Sequence, residues 1–350
     1  MARVGILGFA HGHVNAFGME WVKDPSYNVE VVCGWDGDEE RAVKNCEQFG
    51  IKRMNSAEDV LKADIDSVVI AAETAYHAKL AIMAAEAGKN IVLYKPMALR
   101  LHEADAIVEA VNKHGVRFTM GWQMRVDPQN IKIKEMIQSN ELGDTMLFRR
   151  RHGLPPAEPS QAGKWWHVIP EMNRDIFADD SSHPINLMQW IFGMPETVSC
   201  EMATMYTPLI PNDNGVALFK YKNGMIAEIS CSFTNRASEI STEVYTRNGS
   251  IQQYYGDLPS TMVPRDESLP GLKWFRVGDT AWTASDIPSP KGQGDRIRAQ
   301  AGPLAHFLNG GPTICSAEEG RDSLRLVLAC YLSVREGARV SVWDDRVYEI

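Results

Sequence analysis

Between Arg3 and Gly121, short apolar runs alternate with stretches of helical spacing, and this alternation limits the fold more than any other feature of the chain. Arg3 to Phe9, Val29 to Trp35, Asp66 to Ala72, the NIVLYKPMA run Asn90 to Ala98 and Val116 to Gly121 read as strands. Helical segments lie between them: Val14 to Val22, Asp38 to Phe49 stopped by Gly50, a short one from Ser56 with Asp59 three residues on, Ala78 to Ala87 closed by Gly88, and His102 to Lys113 before Gly115. Mostly apolar strands separated by crossover helices define a parallel sheet covered on both faces. The fold class is therefore α/β, with an N-terminal Rossmann-type doubly wound sheet.

In such a sheet, ligands bind outside the carboxyl ends of the strands, so the residue after each strand is a candidate. The first strand runs into a Gly-bearing turn and a helix, where backbone N–H groups and the helix dipole favour a dinucleotide pyrophosphate. Set against G-x-G-x-x-G, the positions hold Gly8, Ala10 and His13, so one glycine of the motif remains, and His11, Gly12 and His13 fill the turn. Two histidines at i, i+2 also suggest a metal pair of the amidohydrolase kind. The next strand ends, Trp35-Asp36 and Ala71-Ala72, supply few further ligands, and imidazoles beside a pyrophosphate or nicotinamide fit better. Asp36 closes the second strand, where a carboxylate accepts hydrogen bonds from the adenosine ribose and repels a 2′-phosphate. This favours NAD over NADP, with Arg41 nearby as a residue able to pair with a phosphate.

The run NIVLYKPMA, Asn90 to Ala98, is a buried strand that delivers Lys95 at its carboxyl end, with Pro96 directing the exit. A lysine held there partly out of water has its ammonium form disfavoured, which suits acid/base chemistry. A solvated lysine after a strand is the competing reading.

A chain of 350 residues is long enough for two cores. Residues 1–122 read as an NAD-binding domain and 123–350 as a substrate-binding and oligomerisation domain, whose closing helices are free to pack back on the first. The net charge of -9 leaves no general attraction to nucleic acid or anionic lipid, so a small-molecule partner is expected. The six cysteines form no CxxC pair and sit mostly in apolar runs, as in a reducing compartment. The chain enters its first strand directly, and no apolar run approaches the roughly 18 residues of a membrane span, so a cytoplasmic, soluble protein is expected.

After Gln123 to Arg125, the segment Pro128 to Ser139 reads as an amphipathic helix and Met146 to Arg151 as a strand. The irregular stretch from Arg151 to Asn173 carries Trp165 and Trp166, either a sugar-stacking wall or aromatic packing between domains or subunits. Asp179 and His183 stand four apart at the start of a helix whose apolar spacing runs from Ile185 to Phe192. A carboxylate orienting an imidazole is an acid/base arrangement; taken alone, the pair also reads as a dipole-favoured acid and a buried histidine. From Glu196 the pattern turns to β, with Asn223-Gly224 as a hairpin, and implies an open, mostly antiparallel sheet in a C-terminal α+β domain. One face would be covered by helices and the other free as a dimer surface. Asp257 to Gly294 reads as loop.

The run Thr74 to His77, AGKNIVLYKPMAL, HEADAIVEAV and the GWQMR at Gly121 to Arg125 together resemble the Gfo/Idh/MocA family, the glucose-fructose oxidoreductase and inositol dehydrogenase relatives. That family carries Glu-Lys-Pro after this strand, with the lysine catalytic beneath the nicotinamide. Lys95 and Pro96 match, while Tyr94 replaces the glutamate that helps seat the cofactor ribose. The family's Asp-x-x-x-His falls on Asp179 and His183, and Asn186 stands where aspartate is common.

The resemblance implies a cofactor surface built from Gly8, Ala10, His11, Gly12, His13 and Asp36, continued by Ala72, Thr74, His77, Tyr94, Lys95 and Gln123. Lys95, Asp179 and His183 would be catalytic and would also meet substrate, with Arg125, His152, Trp165 and Trp166 beside them. The implied reaction moves a hydride between nicotinamide and a secondary hydroxyl or ketone of a non-phosphorylated sugar, cyclitol or glycoside. In it His183 is the base, Lys95 stabilises the alkoxide and Asp179 orients both. Three alternatives stay open: a redox-assisted glycosidase or eliminase recycling tightly bound NAD, a non-catalytic dinucleotide sensor, and a metal hydrolase using His11 and His13. A homodimer or homotetramer through the C-terminal sheet is expected.

Overall fold

The structure is a computed structural model, and it describes residues 1–156, 165–236, 241–254 and 268–350. The N-terminal apolar runs form strands β1 (Ala2–Leu7), β2 (Val29–Trp35), β3 (Lys52–Arg53), β4 (Ser67–Ile70), β5 (Asn90–Leu93) and β6 (Phe118–Met120). They pair in parallel in the order β3-β2-β1-β4-β5-β6. The order reverses between β1 and β4, which opens a crevice at their carboxyl ends. Helices α1 (His13–Lys23), α2 (Glu39–Phe49), α3 (Ala57–Lys62), α4 (Thr74–Glu86) and α5 (Leu101–His114) make the crossovers. Asp38 and Ser56 cap α2 and α3 by accepting from the N–H groups of Arg41 and Asp59.

Helix α4 starts at Thr74, one turn earlier than its apolar spacing announces. Thr74 and His77 are weak helix formers, but both are buried here, and burial overrides propensity.

The chain separates into two compact units: residues 1–123, 171–173 and 297–324 make one, and 124–170, 174–296 and 325–350 the other. The first unit thus runs to residue 123 and takes back residues 297–324 from the end of the chain. In the first unit, Ile6, Val69 and Val92 meet Phe17 and Trp21 of α1 and Leu304 and Phe307 of the helix Ala301–Leu308 in one core. Trp21 Nε1 fastens that helix by donating to Ala301 O at 2.9 Å.

The second unit holds a sheet of nine strands among the described residues: β7 (Thr145–Gly153), β8 (Thr197–Ala203), β9 (Asn214–Lys220), β10 (Ile226–Ser232), β11 (Ser241–Thr246), β12 (Gly249–Tyr254), β13 (Leu272–Arg276), β14 (Thr283–Ala284) and β15 (Val340–Ser341). Only β7 and β10 pair in parallel; the other neighbours are antiparallel. Gly224, at φ +91°, makes the β9–β10 turn. Strands β13 and β14 correct the reading of 257–294 as loop. The apolar pattern of LKWFR is short, flanking polar residues hide it, and pairing with β12 supplies what periodicity does not. Residues 257–267 of that reading, and 157–164 of the irregular stretch before the tryptophans, lie outside the described residues.

Helix α6 (Pro128–Gln138) precedes β7, and α7 (Ile176–Phe192) lies on β10 and β7. Phe177 packs so tightly on β9 that a Cβ on Gly215 would fall 2.4 Å from its ring, and Phe192 meets Phe148 edge-on at 5.2 Å. The sheet's other face exposes Val216, Leu218 and Ile226 around an Arg149–Glu228 pair at 3.0 Å. Among the described residues no helix is long and apolar enough to cross a membrane.

Candidate active site

In the first unit the turn after β1 is shaped by Gly8. Its φ of +86° is left-handed, and a Cβ there would lie 2.5 Å from the Ala72 backbone, so only glycine lets the ends of β1 and β4 approach. His11 N donates to Ala71 O at 2.9 Å and ties the turn to β4. Gly12 precedes α1, and nothing lies within 4 Å of where its Cβ would be. An open backbone at a helix N-terminus beside a topological switch point fits a pyrophosphate. At the chain's exit from this unit, Gln123 Oε1 is buried and has no hydrogen-bond partner among the described residues, an acceptor left for a ligand amide or hydroxyl.

Tyr94 is not on that surface. Its ring is fully buried, stacked on Phe17 at 5.5 Å and 4.7 Å from the His11 ring, and its hydroxyl donates to Gln300 Oε1 at 2.9 Å. Burial pushes the Tyr94 phenol well up, so it stays protonated. An aromatic at this position fills the space beside Gly121, whose Cβ would meet the ring at 2.7 Å. It supports the turn from beneath, where a carboxylate would have offered an acceptor. The His13 ring stands edge-on to His11 at 4.4 Å and is the more accessible of the two.

His77 is withdrawn as well: Nδ1 lies 2.7 Å from Pro96 O and Nε2 3.0 Å from Ala72 O, so both ring nitrogens face backbone. Burial holds its pKa down at about 4, against those backbone hydrogen bonds. The neutral ring has one N–H to give, so it donates to one of these carbonyls at a time, between the carboxyl ends of β4 and β5 and next to the cis Lys95–Pro96 peptide. Thr74, also buried, donates to Asn173 Oδ1, and Ala72 is 4% exposed. Lys95 itself follows β5 and is 3% exposed.

Asp36 ends β2 as expected, but sequence reasoning missed what surrounds it. Arg41 grips it with two nitrogens, Nε at 2.8 Å and Nη2 at 2.7 Å, and Nη2 also reaches Glu73 Oε1 at 2.7 Å. A cavity of about 520 Å³ opens beside them, lined among others by Trp35, Asp38, Arg41, Ser56, Glu73 and Tyr76. The signal for Glu73 was its place directly after the β4 run.

In the second unit α7 begins nine residues before Ile185, because Asp175 caps it by accepting from Ala178 N at 2.9 Å. Asp179 and His183 therefore lie inside the helix, on successive turns. The spacing hid this: Asp-Asp-Ser-Ser-His-Pro is poor helical sequence, and Pro184 removes a backbone donor. Asp179 Oδ2 meets His167 Nδ1 at 3.2 Å, and its neighbour Asp180 holds His152 Nε2 at 3.0 Å. The His152 ring is 6.1 Å from that of His183, and burial lowers its pKa while Asp180 opposes the shift. Helix α7 thus carries two carboxylates, each facing an imidazole from another segment.

Trp166 stacks on His167 at 3.8 Å, whereas Trp165 packs against the Val168, Ile176, Ile210 and Phe233 cluster. Trp165 is to that extent a packing residue. Arg125, buried, donates from Nε to Asn186 Oδ1 at 2.9 Å and braces α7. Sequence reasoning also missed two buried arginines. Arg150 donates to Thr242 Oγ1 at 2.5 Å and Gln253 Oε1 at 3.2 Å, and Arg296 lies 3.8 Å from Asp127. Desolvation drives them to about 9 and about 10, opposed by Asp127. The findable signal was the strand period, which puts Arg150 and His152 on one face of β7.

A parallel sheet in this strand order, a glycine cradle after its first strand and an acid after its second define an NAD-binding oxidoreductase domain, here followed by a unit with a mixed sheet. Comparison with known proteins agrees. The family described as "Oxidoreductase family, NAD-binding Rossmann fold" matches residues 2–122, and the GFO/IDH/MocA C-terminal domain matches residues 130–252. The chain belongs to the Gfo/Idh/MocA family of oxidoreductases, and its cofactor is NAD.

It is similar to the scyllo-inositol 2-dehydrogenase (NAD(+)) of Bacillus subtilis, at 28% identity over 63% of this chain and 65% of that protein. It is similar along almost its whole length to the D-apiose dehydrogenase of Paraburkholderia graminis, at 24% identity over 97% of this chain and 89% of the other. Among solved structures, a levoglucosan dehydrogenase in complex with NADH and levoglucosan shares the fold, with a TM-score of 0.81 over 98% of this chain and 100% of that one at 20% identity.

Proposed function

We propose that the protein interconverts a secondary hydroxyl and a ketone on a neutral sugar, cyclitol or glycoside. The observation that carries this reading is α7, whose buried first turns present Asp179 and His183, with the Asp180–His152 carboxylate–imidazole pair on the same helix. Bound NAD supplies the hydride acceptor, or as NADH the donor. His183 takes the hydroxyl proton as general base and returns it in the reverse direction. Lys95 places its positive charge where the alkoxide develops. Asp179, held in one orientation by His167 at 3.2 Å, supports His183 as the base.

A neutral substrate is supported by how three arginines of the second unit are engaged. Arg149 pairs with Glu228 and Glu243, Arg150 is bound to Thr242 and Gln253, and Arg296 faces Asp127. The relatives are named for an inositol and for apiose, and the structural neighbour holds levoglucosan, all neutral polyhydroxylated molecules of this kind. The exposed Val216, Leu218 and Ile226 offer a surface for a homo-oligomer.

The test is NADH formation at 340 nm with NAD⁺ and a panel of neutral polyols and glycosides, for the wild-type protein and for Lys95→Ala and His183→Ala. Each variant is expected to lose about 10²- to 10⁴-fold in kcat while binding NADH within a few-fold of wild type. Undiminished turnover in either variant would remove that residue from the chemistry. Product formed without net NADH would point instead to a reaction that recycles the cofactor.

A further inference from the structure

Asp36 stands where the adenosine ribose of a dinucleotide is read, yet its carboxylate is already saturated. Oδ2 accepts from Phe9 N at 2.6 Å and Arg41 Nε at 2.8 Å, and Oδ1 accepts from Asp38 N at 2.8 Å and Arg41 Nη2 at 2.7 Å. An ionised carboxylate offers about four acceptor sites, so none is left for a ribose hydroxyl. The neighbouring Glu73 is differently placed. One of its oxygens, Oε1, accepts from Arg41 Nη2 at 2.7 Å, the other has no hydrogen-bond partner among the described residues, and the side chain lines the cavity of about 520 Å³.

We propose that Glu73 is the ribose-reading carboxylate of this chain and the residue that sets its preference for NAD over NADP. Its Oε2 accepts from the ribose hydroxyl that Asp36 cannot serve. Its charge does the excluding: two carboxylates and one guanidinium leave the Asp36, Arg41 and Glu73 group at a net −1, which opposes a 2′-phosphate. Glu73 also holds the one cation of the group. Arg41 spends Nε on Asp36 and Nη2 on both acids, so its fork is not presented to a phosphate as a bidentate clamp. Asp36 thereby becomes the anchor that aligns Arg41.

The inference rests on NAD binding by the first unit and not on the sugar proposed above, so it is tested by binding alone. NADH and NADPH are titrated by nicotinamide fluorescence into the whole protein as wild type, Glu73→Gln, Glu73→Ala and the Glu73→Gln/Arg41→Ala double variant. Glutamine keeps the size of the side chain and can still accept from Arg41, and the alanine variant removes the contact outright. Relative to NADH, NADPH affinity is expected to rise about ten- to hundred-fold in the single variants, the worth of one charge-assisted pair. Adding Arg41→Ala should abolish the gain, because Arg41, anchored on Asp36 and no longer neutralised by a second carboxylate, is the cation that meets the phosphate. An NADPH-to-NADH affinity ratio unchanged within twofold in both single variants overturns the proposal. Failure of the wild-type protein to bind either nucleotide would overturn the NAD reading itself, and this inference with it.

Discussion

At the end of β5 a single aromatic residue decides what lies beneath the cofactor turn. Tyr94 stacks on Phe17, fills the gap over Gly121 and gives its hydroxyl hydrogen to Gln300. Its neighbours were invisible in the sequence, because Gln300 is 206 residues away. Tyr94→Phe keeps the ring but leaves Gln300 Oε1 buried without its donor, and is expected to cost about 1–2 kcal/mol. A lower urea midpoint at unchanged slope would show it; an unchanged midpoint would mean that water or a rotated amide replaces the bond. The residue reading of Lys95 was easier, since an apolar run ending in Lys-Pro announces a strand edge by itself.

At the scale of elements, His77 in the first turn of α4 sits between Ala72 O and Pro96 O at the ends of β4 and β5 and, when neutral, donates to one of them. Its folded pKa of about 4 lies below the ordinary 6.5, so the unfolded chain takes up the proton first as pH falls. The stability this gives is complete above pH 6.5 and is lost between there and pH 4, roughly 3 kcal/mol in all. From pH 7 to pH 5 the wild-type protein should therefore lose about 2 kcal/mol more than His77→Gln, measured by urea unfolding at the two pH values. Equal losses would show that the imidazole is protonated in the fold, held by its two carbonyls. Elements were legible where a period ran unbroken, as in β2, α2 and α5. They were not legible in α7, whose first two turns are polar residues made helical by the Asp175 cap and by burial on every side. Nor were β13 and β14, which are strands because β12 offers an edge to β13 and β13 in turn offers one to β14.

At the scale of the whole molecule, the chain returns to its first unit after residue 296, and the helix Ala301–Leu308 completes that unit's core with Leu304, Phe307 and Leu308. Leu304→Ala, at a fully buried site, is expected to cost about 2–5 kcal/mol. The loss should fall on the unit that binds NADH: in calorimetry the transition that NADH raises should move down, and that shift would be absent if the helix were merely appended.

The sequence by itself determined the parallel α/β sheet, the glycine turn after β1, the acid after β2 and the i, i+4 placement of Asp179 and His183. All of these are local, carried by strand and helix periods, turn chemistry and residue type. Only the tertiary structure decided that Asp179 faces His167 and Asp180 faces His152, that Arg41 is shared by Asp36 and Glu73, and that residues 297–324 close the first core. Apart from Asp36 and Arg41, which are close in sequence, those pairings join separate segments of the chain; they leave no period behind and are selected by the burial of polar groups that must find a partner once water is excluded.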